Sequence, residues 1–230
     1  MNLIFLDTEC TGTETEDRLL QLAYKCGDII VSELFKPPVP IKIGAMAVHH
    51  ITEEMVADKP VFETSEVCGD LKTLLADTDS VLVAHNAKFD IEMLAKEWII
   101  TRNFICTMKV ARHLDTNGTI DSYALQYLRY LLKLDVQAPA HDALGDVLVL
   151  EKLYERLAAK LSVEEMVKIS SQPSLIRRLT FGKHRGKTIT EVLAIDIDWL
   201  EWLLGEKKKE AQPDEDWLFT LNHYLNGNTS

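Results

Sequence analysis

The sequence predicts an α/β fold, a mixed sheet flanked by helices, followed by a small C-terminal α+β module. Three observations carry this expectation. Short, strongly apolar runs alternate with segments whose apolar residues recur at helical spacing, the pattern of a layered α/β domain. Two apolar runs near the N-terminus flank a single glycine, a hairpin signal that makes the sheet mixed rather than purely parallel. After about residue 160 the composition changes, and a basic segment followed by helical patterns replaces the alternation.

Taken in order, residues 2–6 (NLIFL) are an apolar run ending at Asp7, consistent with a buried strand whose carboxyl end carries a polar group. LLQLAYKC (19–26) and DIIVSELF (28–35) flank Gly27 as the two arms of a hairpin, and KPPVP (36–40) is a loop by its prolines. Thr52 suits an N-cap, with Glu53 and Glu54 in the first turn. Residues 65–76 have helical spacing. SVLVA (80–84) reads as a second buried strand, followed by HNAKFD and a helix over 91–98. Asp121 and Ser122 are expected to cap a helix continuing through Leu132. Residues 142–158 form an amphipathic helix with a wide apolar face. These elements make a domain over 1–165. A second unit, 170–230, follows a short helix at 162–169. It holds a basic hairpin (177–189) with five Lys or Arg and no acid, and helices at 196–205 and 213–227, with Pro213 at a first helical position.

Bulk properties narrow the function. The 230 residues are 47% apolar, enough for a sizeable core. No run of about 18 apolar residues suggests a membrane span, and the N-terminus lacks a basic start, so a cytoplasmic location is expected. The cysteines (10, 26, 68 and 106) form no CxxC pair, which argues against a zinc site and for free thiols, with Cys10 structural. A net charge of −11 and a pI near 5.1 count against broad nucleic-acid binding. That objection lapses if a carboxylate cluster holds divalent cations that reverse the local sign.

Three short motifs supply such a cluster. Asp7-Thr8-Glu9 ends the first strand, and residues i and i+2 share a face, so the two carboxylates repel unless a cation lies between them. His85-Asn86-Ala87-Lys88-Phe89-Asp90 follows the strand SVLVA, at the carboxyl edge where α/β sheets gather ligands. His141 and Asp146 are five residues apart, roughly 140° around a continuous helix. They can share a site only if His141 precedes the helix, on the loop after Pro139. Singly these signals are weak: D-x-E triplets are common on surfaces, Asp90 could be an ordinary helix-start acid, and His141 a surface residue beside a capping Asp142. Together Asp7, Glu9, Asp90 and Asp146 make an oxygen-rich site suited to two Mg²⁺ or Mn²⁺ ions, with His141 as general base.

These motifs, in this order, resemble those of the DnaQ-like superfamily of 3′→5′ exonucleases, in its DEDDh subgroup, over about residues 1–160. The segment 45–56 is similar to the H-x-I-T element of these enzymes. The C-terminal segment PSLIRRLTFGKHRGKTITEVLAIDIDWLEWLL resembles that of the exodeoxyribonuclease X branch. The resemblance implies a ribonuclease H-like fold and hydrolysis of single-stranded and duplex DNA from the 3′ end to nucleoside 5′-monophosphates, in repair or end processing. It implies that Thr8, His49 and Asn86 face the substrate, His49 lining the terminal-nucleotide pocket. The loop 10–18 is longer and more acidic than the pattern, which puts end preference in question. Arg177, Arg178, Lys183, Arg185 and Lys187, beside a glycine turn, suit a phosphate backbone. Two rivals remain: an RNA-trimming exonuclease of the ribonuclease T kind, since the carboxylates do not read the sugar, and a polymerase-associated proofreading subunit. Trp199, Trp202 and Trp217 either pack the small module on the main domain or form a homodimer contact.

Overall fold

The computed structural model describes residues 1–137 and 142–227. Its centre is a five-stranded sheet of β1 (Asn2–Cys10), β2 (Leu19–Cys26), β3 (Ile29–Leu34), β4 (Ser80–Ala84) and β5 (Phe104–Cys106), in the order β3-β2-β1-β4-β5. β1, β2 and β3 are antiparallel neighbours, while β4 and β5 run parallel to β1. The sheet is therefore mixed, as the hairpin signal requires. Gly27 closes that hairpin with φ 58°, a left-handed conformation that glycine adopts without a Cβ penalty.

Helices cover both faces. In chain order they are α1 (Ile43–His49), α2 (Glu53–Val56), α3 (Glu66–Ala76), α4 (Lys88–Lys96), α5 (Thr107–Leu114), α6 (Leu125–Leu131), α7 (Ala143–Ala158), α8 (Val163–Ser170), α9 (Ile189–Ile195), α10 (Ile197–Lys209) and α11 (Glu215–Asn226). The strand period of two divides β1 between two cores. Ile4 and Leu6 pack with Leu71 and Leu94 of α3 and α4. Phe5 packs on the other face with Val110, Leu128, Val147 and Leu150, and meets Tyr154 of α7 edge-on at 5.3 Å. No helix among the described residues is long and apolar enough to cross a membrane.

Several local expectations need correction. Thr52 occupies the N-cap of α2 but makes no side-chain cap bond; Glu53 instead accepts from the Ile41 amide at 2.6 Å. α6 starts only at Leu125, because Ser122 ties the Ala124 amide and so holds the preceding turn, and Asp121 pairs with Arg178. β5, α1, α5 and α9 were not anticipated: each is short, and periodicity is weak over so few residues. Pro213 lies before α11 rather than in its first turn, since Asp214 is the cap, accepting from the Asp216 and Trp217 amides.

The β part of the C-terminal unit is reduced to one antiparallel bridge, Arg178↔Thr188, and the rest is helical. Leu179, Ile189, Val192, Leu200, Leu203, Trp217 and Leu221 form its own core. Trp217 is buried there, whereas Trp202 stays exposed. This unit is bolted to the sheet domain. Asp216 accepts from the Ser174 amide and hydroxyl at 2.8 and 2.9 Å and from Arg112 at 3.0 Å. Arg177 donates to the carbonyls of Thr116 and Arg112, and Arg178 to that of Gly118.

Candidate metal centre

Strand register sets the site. The last β1–β4 pair is Phe5↔Val83, so the end of β1 outruns β4 and is flanked only by β2, where Asp7 opposes Ala23 and Glu9 opposes Gln21. Beyond β4 the chain turns at Asn86, with φ 63°, into α4, whose first turn carries Asp90. Asp146 projects from the first turn of α7. Ligand oxygens of Asp7, Glu9 and Asp146 all lie within 4.8 Å of one another. Asp90 does not join this trio. It is buried beside it and accepts the Thr8 hydroxyl at 2.8 Å.

Burial and mutual repulsion set the electrostatics of these carboxylates. Burial raises Asp7 well above the usual carboxylate range, and Asp90, Asp146, Glu9 and Asp142 raise it further. Glu9 is pushed up to about 7 by burial and then by Asp146, Asp90 and Asp142. Asp90 is also raised to about 7 by burial, against the lowering effect of the Thr8 hydrogen bond. Closely set hard oxygen donors fit Mg²⁺ or Mn²⁺ and not a thiolate metal. The nearby thiol of Cys10 is no competitor. It donates to the Gly12 carbonyl at 2.8 Å, and burial pushes it up to about 11, which supports the structural reading.

The start of α7 is fixed from two sides. Asp142 caps it, accepting from the Gly145 amide at 3.1 Å. Gln21 of β2 donates to Asp142 at 3.1 Å and accepts from the Ala143 amide at 3.2 Å. From the other side Gln126 of α6 donates to Asp146. His141 lies outside the described residues; in sequence it directly precedes the cap residue Asp142.

A cavity of about 350 Å³ adjoins Glu9, lined also by Cys10, Lys42, Ala45, Val48, His49 and Phe89. His49 is buried in its wall. Its Nδ1 accepts from the Ile51 amide at 3.0 Å, so Nε2 carries the proton and donates to the Cys10 carbonyl at 3.2 Å. Burial lowers its pKa, which keeps the ring neutral. Thr8 is buried with its hydroxyl spent on Asp90, while Asn86 is exposed at the turn before α4. Lys183, Arg185 and Lys187 are exposed on the turn of the C-terminal unit, with Lys183 paired to Asp196 at 2.5 Å. Arg177 and Arg178, read with them as one basic run, are half-buried and occupied in docking.

Some residues of the site had no signal in the sequence. Lys42 clamps the acidic loop, lying 2.8 Å from buried Asp17 and 3.1 Å from Glu14. Lys96 donates to the Glu14 and Asp17 carbonyls. A surplus of acids in loop 10–18 was the available hint that cations must come from elsewhere. His85 is locked between the Thr107 hydroxyl (2.9 Å) and the Tyr123 carbonyl (2.7 Å), and burial lowers it to about 4, so it is a neutral brace.

Comparison with known proteins shows the family. A family model described as "Exonuclease" matches residues 4–154, and one described as "Exodeoxyribonuclease X-like C-terminal" matches residues 179–208. Exodeoxyribonuclease 10 of Escherichia coli K12 is 36% identical over 204 residues, covering 85% of this chain and 84% of that protein. The DNA polymerase III subunit epsilon of Treponema pallidum is 32% identical over 165 residues, covering 66% of this chain and 74% of that one. Among solved structures, exonuclease X in complex with 5′-overhanging duplex DNA superposes with a TM-score of 0.61 at 33% identity, covering 73% of this chain and 99% of that one.

Proposed function

The chain belongs to the exonuclease family, and from that premise we propose that it hydrolyses DNA, single-stranded and duplex, from the 3′ end to nucleoside 5′-monophosphates. The observation that carries this reading is the convergence of Asp7, Glu9 and Asp146 at the open end of β1, beside a cavity large enough for a terminal nucleotide. Activity depends on a divalent metal, and two Mg²⁺ or Mn²⁺ ions are proposed. Asp7, Glu9 and Asp146 would hold them, with Asp90 completing the set once its carboxyl ionises. Ions bound there supply Lewis-acid stabilisation of the charge that develops on the phosphoryl oxygens.

The protein's own groups do the rest. Neutral His49 and the apolar wall of Ala45, Val48 and Phe89 receive the terminal nucleotide. His141, adjoining the cap of α7, takes the proton of the attacking water. Thr8 holds Asp90, and Asn86 sets the turn that delivers it. Lys183, Arg185 and Lys187 meet the phosphate backbone without reading sequence. The two family matches support units at 1–165 and 170–230.

The C-terminal match favours this reading over an RNA-trimming enzyme or a polymerase-associated proofreading subunit. The test is digestion of labelled single-stranded, blunt, overhanging and RNA oligomers with Mg²⁺, alongside an EDTA control. DNA should be shortened from the 3′ end with release of 5′-mononucleotides, and EDTA should stop it. Equal or faster loss of the RNA would overturn the DNA assignment.

A further inference from the structure

We propose that Gln126 is a positioning residue for the metal centre, aimed by Arg129, which turns the Asp146 carboxylate toward Asp7 and Glu9. Neither residue is among the candidate ligands. Gln126 Nε2 donates to Asp146 Oδ1, while Gln126 Oε1 accepts from Arg129 Nη1 at 3.1 Å. An amide has one acceptor end and one donor end. The guanidinium, a donor only, can engage only the oxygen, so it fixes the NH₂ end on Asp146. Arg129 is itself held: its Nη2 donates to the Val136 carbonyl, and its guanidinium lies over the Tyr130 ring at 5.5 Å. The chain Val136–Arg129–Gln126–Asp146 thus reaches a ligand from α6, a different element from the helix that bears it.

The geometry has a chemical purpose. Three carboxylates whose oxygens lie within 4.8 Å of one another repel, and Asp146, at the start of a helix, could relieve this by rotating outward. A donor on Oδ1 opposes that rotation and orients the other oxygen. Outer-sphere hydrogen bonds of this kind fix ligand carboxylates and tune metal affinity. Among the described residues the Gln21 side chain bonds only Asp142 and the Ala143 amide, so it fixes the helix end and leaves the ligand to Gln126.

This inference rests on the metal-site reading above, and the experiment separates the two. Mn²⁺ binding to the intact protein is measured by electron paramagnetic resonance of the free ion, in wild type, Asp7→Asn, Gln126→Leu, Arg129→Met and the Gln126→Leu/Arg129→Met double variant. The expected loss of affinity in Gln126→Leu is roughly 10- to 100-fold. Saturating Mn²⁺ should restore kcat, with KM for DNA changed less than about twofold. Arg129→Met should show a smaller loss. The double variant should bind no more weakly than Gln126→Leu, because Arg129 acts through Gln126. If Asp7→Asn binds Mn²⁺ as wild type does, the metal-site reading fails. If Asp7→Asn loses binding while Gln126→Leu keeps wild-type affinity, or if the two losses multiply in the double variant, the positioning role alone is refuted. Circular dichroism checks folding. Should Gln126→Leu not fold, Gln126→Glu, which puts an acceptor in place of the donor, must show the same loss of Mn²⁺ affinity.

Discussion

Glu9 and Asp90 are each raised to about 7 and Asp7 is raised well above the usual carboxylate range, so the metal-free cluster is a source of instability that depends on pH. A carboxyl whose folded-state pKa exceeds its unfolded value binds protons more readily when folded. The folded state therefore loses stability as pH rises from about 4.5 toward 7, and regains it on acidification through that window. Metal-free protein should melt higher at pH 6 than at pH 8, measured calorimetrically in EDTA. Added Mg²⁺ should raise Tm more at pH 8, where no proton competes. Asp7→Asn removes one of the opposed charges. It should abolish hydrolysis, a loss of at least about 10²-fold, while raising the Tm of the EDTA-treated protein. Unchanged Tm in EDTA would mean that the carboxylates are relieved in some other way. At this scale the pairing of Asp7 with Glu9 was legible from sequence, because the strand period puts them on one face, and Asp146 meets them in the fold, whereas Asp90, expected in the same set, lies beside the trio on the Thr8 hydroxyl. Gln21, Gln126 and Lys42 were not, since each matters through a partner distant in the chain, and Lys42 looks like any surface lysine.

Elements were readable where an unbroken apolar run or sustained helical spacing marked them. The hairpin, β4 and α7 fall where alternation and helical spacing put them, whereas the start of α6 shifted because a serine-tied turn took its first residues. The loop 10–18 is ordered by its own hydrogen bonds and by two lysines from outside it, Lys42 and Lys96. Asp17 is buried and accepts from the Thr11 hydroxyl, the Glu14 amide and Lys42. A Cβ on Gly12 would collide with the carboxylate of Asp17, which explains a glycine at this point. Lys42→Met should free Glu14, which lines the nucleotide cavity, and Glu16 beside it in sequence. The expected result is a several-fold rise in KM for DNA, a smaller change in kcat, and faster limited proteolysis within 12–18. Cleavage no faster than in wild type would show that Lys96 alone holds the loop.

Across the whole molecule, the sheet domain and the C-terminal unit were legible as composition zones, but their junction was not. It depends on Asp216, which the sequence presents only as one of several acids at a helix start. In the fold this carboxylate gathers Arg112 and Lys109 from across the junction and Ser174 from its own unit. Asp216→Ala strands these donors, at a cost of about 1–3 kcal/mol. Hydrogen exchange should then quicken over 174–178 and 215–221 while β1 and α7 keep their protection; uniform acceleration would mean that the two units unfold as one.

The docking of Arg177 and Arg178 onto carbonyl oxygens also fixes how this protein responds to ionic strength. Guanidiniums already committed to Thr116, Arg112 and Gly118 displace no condensed cations from a nucleic acid. Only Lys183, Arg185 and Lys187 on that turn remain to do so, and Lys183 must first leave Asp196. At roughly 0.9 per neutralised phosphate on duplex DNA, the turn adds no more than about 2.7 to the steepness of log K against log salt. The enzyme should therefore hold duplex ends through a shallow, salt-tolerant grip, in which the divalent ions of the site carry a larger share of the attraction than its lysines and arginines.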